Sequence, residues 1–259
     1  MTAATKRWRE WGLAVVAVAP LALLLTRPSI PQELKYHALA ETRTVLGVPH
    51  FSDVVSNLPF LAIGVAGLML CASGRVTGAI RSWTVFFLGV ALVCFASAWY
   101  HWHPDNATLV WDRLPITVAF MGLFAGLVAE HAGARLERVL LAPAVAAGIA
   151  SVAWWAWSDD LRAYLWVQAA PLLCLAYVLM VFPGSYTHRR HLGYALASYA
   201  LAKAAEFQDR EIYALTSQLM SGHTLKHLLA ALAVFFVYLM LRMRSPVSRK
   251  AGGQAAAVP

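Results

Sequence analysis

Residues 80 to 101 read Ile80-Arg-Ser-Trp-Thr-Val-Phe-Phe-Leu-Gly-Val-Ala-Leu-Val-Cys-Phe-Ala-Ser-Ala-Trp-Tyr-His101, an apolar run long enough to cross a lipid bilayer. The run is continuous and does not alternate apolar with polar residues at a period of two, so we expect a helix and not a strand of a β-barrel. Near its end, Ser97 and His101 are four residues apart and therefore share one helix face. The stretch predicts a membrane-spanning helix that aims two polar groups at one point.

Comparable apolar runs recur along the 259 residues, of which 60% are hydrophobic and 13% charged. A soluble domain carries roughly 25% charged residues, so this composition indicates a membrane protein. Each run has about 17 to 25 residues, the length that a spanning helix needs. The runs lie near residues 11–27, 54–72, 80–101, 113–131, 138–157, 163–183, 191–207 and 221–242. We therefore predict an all-α integral membrane protein with eight helices in one compact domain.

The basic residues orient these helices. If the amino terminus is cytoplasmic, thirteen of them fall inside: Lys6, Arg7, Arg9, Arg75, Arg81, Arg135, Arg138, Arg189, Arg190, Arg242, Arg244, Arg249 and Lys250. Six fall outside: Arg27, Lys35, Arg43, Arg113, Arg162 and Arg210. Cytoplasmic loops carry the excess of Lys and Arg, so we expect both termini inside. This pattern accounts for the formal net charge of +8 without nucleic-acid binding, and we predict no nucleic-acid partner.

The two ends of the chain carry segments of other kinds. The first apolar run follows Lys6-Arg7-Trp8-Arg9, as a signal peptide would, but no small-x-small cleavage site follows before Arg27-Pro28. We therefore expect a retained transmembrane helix there. Residues 243–259 are rich in Ala, Gly and Ser beyond the last run, and we predict a disordered cytoplasmic tail.

Polar residues converge at one depth in this topology. His101 ends the third run on the outer side, Asp112 precedes the fourth, and His223 and His227 lie in the first turns of the eighth. Because the spacing of His223 and His227 places both on one helix face, three imidazoles can meet. Three protein nitrogens leave one tetrahedral position of a zinc ion open to water, and a carboxylate such as Asp112 can manage that water's proton.

Several neighbours have simpler interpretations. Asp112 is also placed to cap the fourth helix, with Pro115 in the first turn. Ser97 is a residue type that often packs between membrane helices. Lys226 flanks the two later histidines and is expected to snorkel outward or to contact an acidic head group. Ser56 and Asn57 reach the same depth and are expected to hydrogen-bond the metal-binding side chains.

The ordered set Ser97-x-x-x-His101, Asp112 and His223-x-x-x-His227 resembles the alkaline ceramidase family, within the seven-helix membrane hydrolases that include the adiponectin receptors. Three longer stretches carry the resemblance to bacterial members of that family. They are Asp53-Val-Val-Ser56-Asn57-Leu-Pro-Phe, Pro104-Asp-Asn-Ala-Thr-Leu-Val-Trp-Asp112-Arg-Leu-Pro and Ser221-Gly-His-Thr-Leu-Lys-His227. The resemblance implies a seven-helix ceramidase-like domain at residues 36–242. Residues 1–35 then form an additional transmembrane helix and an outer loop.

The resemblance implies a zinc ion at His101, His223 and His227, with Asp112 and Ser97 holding the water bound to the metal. It implies hydrolysis of the ceramide amide to a sphingoid base and a fatty acid, with the lipid amide entering from the bilayer. Eukaryotic members also bind calcium through acids near the first core helix. Here His50 stands seven residues before Asn57 and no matching acidic cluster precedes it, so the resemblance does not extend to calcium.

Two other functions remain open at this stage. A receptor-like or haemolysin-like relative would hold a structural zinc with little turnover, and a transporter would use intramembrane His and Asp residues for ion passage. The Ala/Arg-rich composition is typical of a bacterial protein, so we expect a bacterial inner membrane with the site near the periplasmic face. Because many bacteria make no sphingolipid, another long-chain amide or N-acyl lipid is also open as the substrate.

Overall fold

The computed structural model describes residues 3–247, and over that range it is all-helical, with two isolated β-bridges and no strand. The prediction of an all-α fold is confirmed. The helices are α1 (Ala3–Leu25), α2 (Phe51–Val55), α3 (Leu58–Ala72), α4 (Ile80–Trp102), α5 (Asn106–Ala132), α6 (Leu136–Ser158), α7 (Arg162–Val181), α8 (Arg190–Phe207), α9 (Asp209–Leu215) and α10 (Gly222–Met243).

Seven segments of the described chain are long and apolar enough to cross a membrane, as expected of a membrane protein. They are Thr5–Leu25, Phe51–Ala72, Ile80–Trp102, Asn106–Ala132, Leu136–Ser158, Arg162–Val181 and Gly222–Met243. The run predicted at residues 191–207 forms helix α8, which has 18 residues. Because α8 contains Arg190, Lys203 and Glu206, it is less apolar than the other seven.

Helices α4 and α5 pack closely along their length because small residues line their contact. A Cβ atom at Gly89 would lie 2.5 Å from the backbone nitrogen of Ala119, and one at Gly122 would lie 2.7 Å from that of Phe86. Helices in lipid associate through such close van der Waals packing. Around this pair, α3 packs on α4, α6 and α7 pack on α5, and α10 packs on α8 and α3.

Helix α1 lies at the edge of the bundle and packs mainly against α7. The Trp166 indole nitrogen donates a 2.7 Å hydrogen bond to the Ala17 carbonyl, and Leu13 is buried in the same contact. Gly12 leaves room for the Tyr177 ring, which a Cβ atom would overlap. The helix is thus attached to one side of the other helices.

The loop between α1 and α2 crosses the end of the bundle where α4 ends and α10 begins, which we name the site end. Backbone nitrogens of this loop donate to side chains of other segments: Gln32 to Asp159 Oδ1 at 2.9 Å, and Ala40 to Asp209 Oδ2 at 2.9 Å. The loop therefore ties together the α6–α7 turn and α9.

The opposite end, which we name the far end, contains the described part of the predicted tail. Here the Thr187 nitrogen donates to the Ser245 carbonyl and the Val247 nitrogen to the Ser185 carbonyl, each at 2.9 Å. Residues 243–247 are therefore held against the α7–α8 loop. The rest of the tail, residues 248–259, lies outside the described residues, where its predicted disorder stays a prediction.

Candidate metal centre

Helices α4 and α10 bring three histidines together at the site end. His101 lies in the last turn of α4, and His223 and His227 lie in the first turns of α10. One ligand nitrogen from each lies within 4.8 Å of the others, and the ring centroids are 4.7 to 4.9 Å apart. The structure therefore brings together the three side chains that the sequence singled out, and they could hold a metal ion.

The burial of these rings fits a metal ion. His101 is 1% exposed, and His223 and His227 are each 4% exposed. The Nδ1 atom of His101 has no hydrogen-bond partner, which is costly for a buried polar group unless a ligand satisfies it. Tetrahedral zinc with Zn–N distances of about 2.0–2.1 Å separates two ligand nitrogens by roughly 3.4 Å. Small side-chain rotations would bring the three histidine nitrogens to that spacing.

Ser56, in the turn between α2 and α3, orients His227. Its hydroxyl oxygen is 2.8 Å from His227 Nδ1 and 3.0 Å from the carbonyl of Asp53, so the hydroxyl donates to the carbonyl and accepts from Nδ1. This arrangement leaves His227 Nε2 without a proton and free to bind a metal. Ser56 thus hydrogen-bonds one of the three histidines, as expected, while metal binding by that histidine stays a prediction. Asn57 instead donates to the Asp53 carbonyl at 2.8 Å.

Helix α10 begins where it does because Ser221 caps it. The Ser221 hydroxyl accepts from the Thr224 nitrogen at 2.9 Å and donates to Asp53 Oδ1 at 3.0 Å. The backbone nitrogen of His223 donates to Asp209 Oδ1 at 2.7 Å. A Cβ atom at the intervening Gly222 would overlap the preceding helices, so only glycine permits this approach. The start of α10, and hence of its two histidines, is fixed by contacts with α2 and α9.

Lys226 points into the bundle, and the prediction that it snorkels outward is wrong. Its ammonium lies 2.7 Å from His223 Nε2 and 3.1 Å from Glu206 Oε1. Glu206 is partly buried and also pairs with Lys203, so it attracts both lysines. A metal bound through His223 Nε2 requires the Lys226 ammonium to move toward Glu206, whereas binding through Nδ1 leaves the lysine in place.

A cavity of about 320 Å³ extends from His227 into the bundle. Ser97, Asp112 and His227 line it at the site end, and Leu175 and Val237 line it deeper in the bundle. Val237 is ten residues beyond His227 in the same helix, about 15 Å along the axis. The cavity thus has a polar end at Ser97, Asp112 and His227 and an apolar interior, as a site for an amphipathic lipid requires.

Asp112 does not cap a helix. Helix α5 begins at Asn106, because the Asp105 carboxylate accepts from the Thr108 nitrogen and the Thr108 hydroxyl accepts from the Asp105 nitrogen. This capping box starts the helix seven residues before the predicted residue 113 and leaves Asp112 in its second turn. Asp112 is buried there, beside Ser97, and its Oδ1 has no hydrogen-bond partner.

The sequence interpretation did not place three of the charged residues that line this cavity, Arg113, Lys203 and Glu206. Arg113 was counted only as an outer charge, although it directly follows Asp112. Glu206 lies three residues after Lys203 in the same helix, a spacing that permits the ion pair that the two side chains form.

No protein-family model matches this chain, and a search of curated proteins finds no match. The interpretation of the site therefore depends on its geometry and chemistry.

Proposed function

We propose that this chain is a zinc-dependent membrane hydrolase that cleaves the amide bond of ceramide or of a related N-acyl lipid. The products are a long-chain amine and a free fatty acid. The observation that carries the proposal is the buried set of His101, His223 and His227, of which His227 lines the polar end of a largely apolar cavity. The resemblance of the ordered motifs to alkaline ceramidases supports the choice of reaction.

The protein's own groups have distinct roles in the proposed reaction. A zinc ion held by three imidazoles would lower the pKa of a bound water to about 7 and would polarise the carbonyl oxygen of the amide. Asp112 accepts the proton of the attacking water and delivers it to the leaving nitrogen, so OH adds to the acyl carbon and H to the nitrogen. The Ser97 hydroxyl donates to the carbonyl oxygen as negative charge develops, a contact that contributes about 3 kcal/mol elsewhere.

We further propose that α8 is an eighth spanning helix. It packs between α7 and α10, and its charged Lys203 and Glu206 line the cavity instead of facing lipid. With eight spans, both termini are cytoplasmic and the site lies near the periplasmic face of a bacterial inner membrane. A reporter fused to the carboxyl terminus should be active only in the cytoplasm, and a periplasmic signal would contradict this topology.

Metal content is the first test of the proposal. Elemental analysis of the detergent-purified protein should give about one zinc per chain, and His223→Ala should lose it. His131→Ala is the matched control, because His131 is a partly buried histidine that bonds the carbonyl of Leu127 in its own helix. Zinc absent from the wild type, or retained in His223→Ala, would contradict the site.

Turnover is the second test. Asp112→Asn should keep the zinc and lower kcat for N-acyl lipid hydrolysis by about 10²–10⁴-fold, the usual contribution of a general acid–base group. Fatty acid released from a defined N-acyl lipid in mixed micelles measures it. Zinc binding without hydrolysis in the wild type would favour the receptor-like alternative, and unchanged turnover in Asp112→Asn would exclude the proposed role of that residue.

A further inference from the structure

Arg113 is a charged group of the cavity that the proposed reaction does not use. Arg113 lines the cavity one residue after Asp112 and is 5% exposed. Among the described residues, no carboxylate lies within ion-pair distance of it. A buried guanidinium is always charged, and burying a charge without a counter-ion is costly. The free protein therefore holds a cation that an anionic ligand would stabilise.

The neighbours of Arg113 position it without neutralising it. Its guanidinium lies 3.9 Å from the centroid of the Trp155 ring and 4.5 Å from that of Tyr164, and its Nη2 donates to Gln32 Oε1 at 2.5 Å. Aromatic faces attract a guanidinium by a cation–π interaction but accept no conventional hydrogen bond. Nη1 of Arg113 and Nε1 of Trp155 are both buried donors without a partner. The guanidinium therefore lacks an acceptor at Nη1 and a counter-ion.

The charged residues that line the cavity carry a net positive charge. Three basic residues, Arg113, Lys203 and Lys226, face two acidic ones, Asp112 and Glu206. Glu206 pairs with both lysines and can neutralise one of them. The lining thus keeps one net positive charge, and bound zinc would add two more. Such a site favours a lipid with a negative head group over a neutral or cationic one.

We propose that the substrate is an N-acyl lipid with an acidic head group, in which Arg113 binds the carboxylate, so that the natural reaction class is hydrolysis of an N-acyl amino acid. This inference rests on the proposed function, since it names the substrate class of the same site. Water is the only co-reactant: its OH joins the acyl carbon and its H the amino acid nitrogen. A guanidinium matches a carboxylate in planar, two-point geometry, which gives head-group selectivity.

A matched pair of substrates tests the inference. N-palmitoylglycine and N-palmitoylethanolamine share the chain and the amide, and only the first ends in a carboxylate. The zinc-loaded wild type should hydrolyse N-palmitoylglycine with at least about tenfold higher kcat/KM. Arg113→Gln should lower that value by about 10 to 100-fold and change the ethanolamide value by less than about threefold, as expected when one charged partner of a pair is lost. Equal kcat/KM values in the wild type would overturn the inference.

Two further variants guard against a folding defect. Arg113→Lys keeps the charge and should retain part of the preference. Arg210→Gln removes an exposed arginine that donates to the Ala38 carbonyl, and should keep the full preference. A folded Arg113→Gln protein with undiminished preference would overturn the inference. If Arg113→Gln does not fold, the kcat/KM ratio of the two lipids in the wild type and in Arg113→Lys decides whether the inference holds.

Binding separates this inference from the proposed function. If the wild type hydrolyses neither of these lipids nor ceramide, the hydrolase proposal fails, whereas isothermal titration of the two lipids in micelles still measures head-group selectivity. Tighter binding of N-palmitoylglycine, lost in Arg113→Gln, supports the acidic-head-group site without catalysis. Equal affinity for the two lipids overturns it.

Discussion

The two ends of the helix bundle each bury an arginine, and the two arginines differ in what surrounds them. At the far end, the Nη1 and Nη2 atoms of Arg244 donate to the two carboxylate oxygens of Glu130 at 2.8 and 2.6 Å. Glu130 also accepts from the Trp83 indole nitrogen at 2.8 Å and from the Ala79 nitrogen. Only the Nε of Arg244 has no partner. This charge is satisfied within the fold.

At the site end, Arg113 has aromatic rings and one amide oxygen around it, and no carboxylate within ion-pair distance among the described residues. His101 Nδ1 and Asp112 Oδ1 nearby are also without partners. Because buried polar groups in proteins are nearly always hydrogen-bonded, partners missing in one place indicate a ligand there. The difference separates a charge that holds the fold together from charges that are kept for binding and chemistry.

The largest expected effect comes from making Arg244 resemble Arg113. Glu130→Leu removes the counter-ion and leaves a buried charge unpaired, so the free energy of unfolding should fall by about 3–5 kcal/mol. Zinc content of the folded fraction should not change, because Glu130 lies at the far end. Denaturation in mixed micelles measures the loss.

The matched control for this variant is Glu33→Leu, which breaks an exposed pair with Lys35 and should cost less than about 0.5 kcal/mol. A Glu130→Leu protein as stable as the control would show that the far-end pair contributes little, and the contrast between the two ends would lose its basis.

A smaller effect is expected from a substitution at the site end that removes one hydrogen bond to His227 and leaves the fold intact. Ser56→Ala removes the hydroxyl that orients His227 through Nδ1, and should weaken zinc affinity by about 10 to 100-fold. Competition with a chelator measures it. Ser151→Ala is the control, since Ser151 is also buried but bonds the Gly148 carbonyl in its own helix. Equal zinc affinities in the two variants would contradict the orienting role of Ser56.

The difference between the two arginines can also be removed by giving Arg113 a counter-ion, so that it is paired like Arg244. Gln32→Glu places a carboxylate where the amide oxygen now accepts from Nη2. The guanidinium is then neutralised, so the preference for N-palmitoylglycine should fall about tenfold, the factor that corresponds to 1.4 kcal/mol. Paired kcat/KM measurements check it. A preference that survives a folded Gln32→Glu would show that the charge of Arg113 does not select the head group.

Local patterns predicted much of this molecule. Continuous apolar runs predicted every long helix, because a spanning helix must satisfy its own backbone polar groups. The four-residue spacing of His223 and His227 predicted a shared face, and the excess of Lys and Arg on one side predicted that His101 would meet them. The structure brings the three rings together.

What the sequence did not predict depends on contacts between distant segments or on competing local signals. Pro115 suggested a helix start near residue 113, but the capping box of Asp105 and Thr108 starts α5 earlier. Arg113 is buried because rings on α6 and α7 stack on it, which no local pattern around residue 113 reveals. Lys226 turns inward because Glu206, twenty residues earlier, attracts it.

The smallest effect concerns a third arginine, which lies at the site end but is paired like Arg244. Arg162 donates to both oxygens of Asp160, and these hydrogen bonds hold the pKa of that carboxyl well below its usual range. Because the folded pKa is below the unfolded value of about 3.9, the pair stabilises the protein above that pH, and the stabilisation is lost as the pH falls through the folded pKa. The pair is partly open to solvent, so its contribution should be about 1 kcal/mol or less.

Asp160→Asn measures this contribution. The variant should unfold more easily than the wild type at pH 7, and the difference should shrink as the pH falls below about 4, where the wild-type carboxyl begins to bind its proton in the unfolded state. Zinc content and head-group preference should not change, because Asp160 does not line the cavity. If Asp160→Asn altered the preference while leaving stability untouched, pairing would not distinguish structural from functional charges at this end, and the assignment of Arg113 would rest on its burial alone.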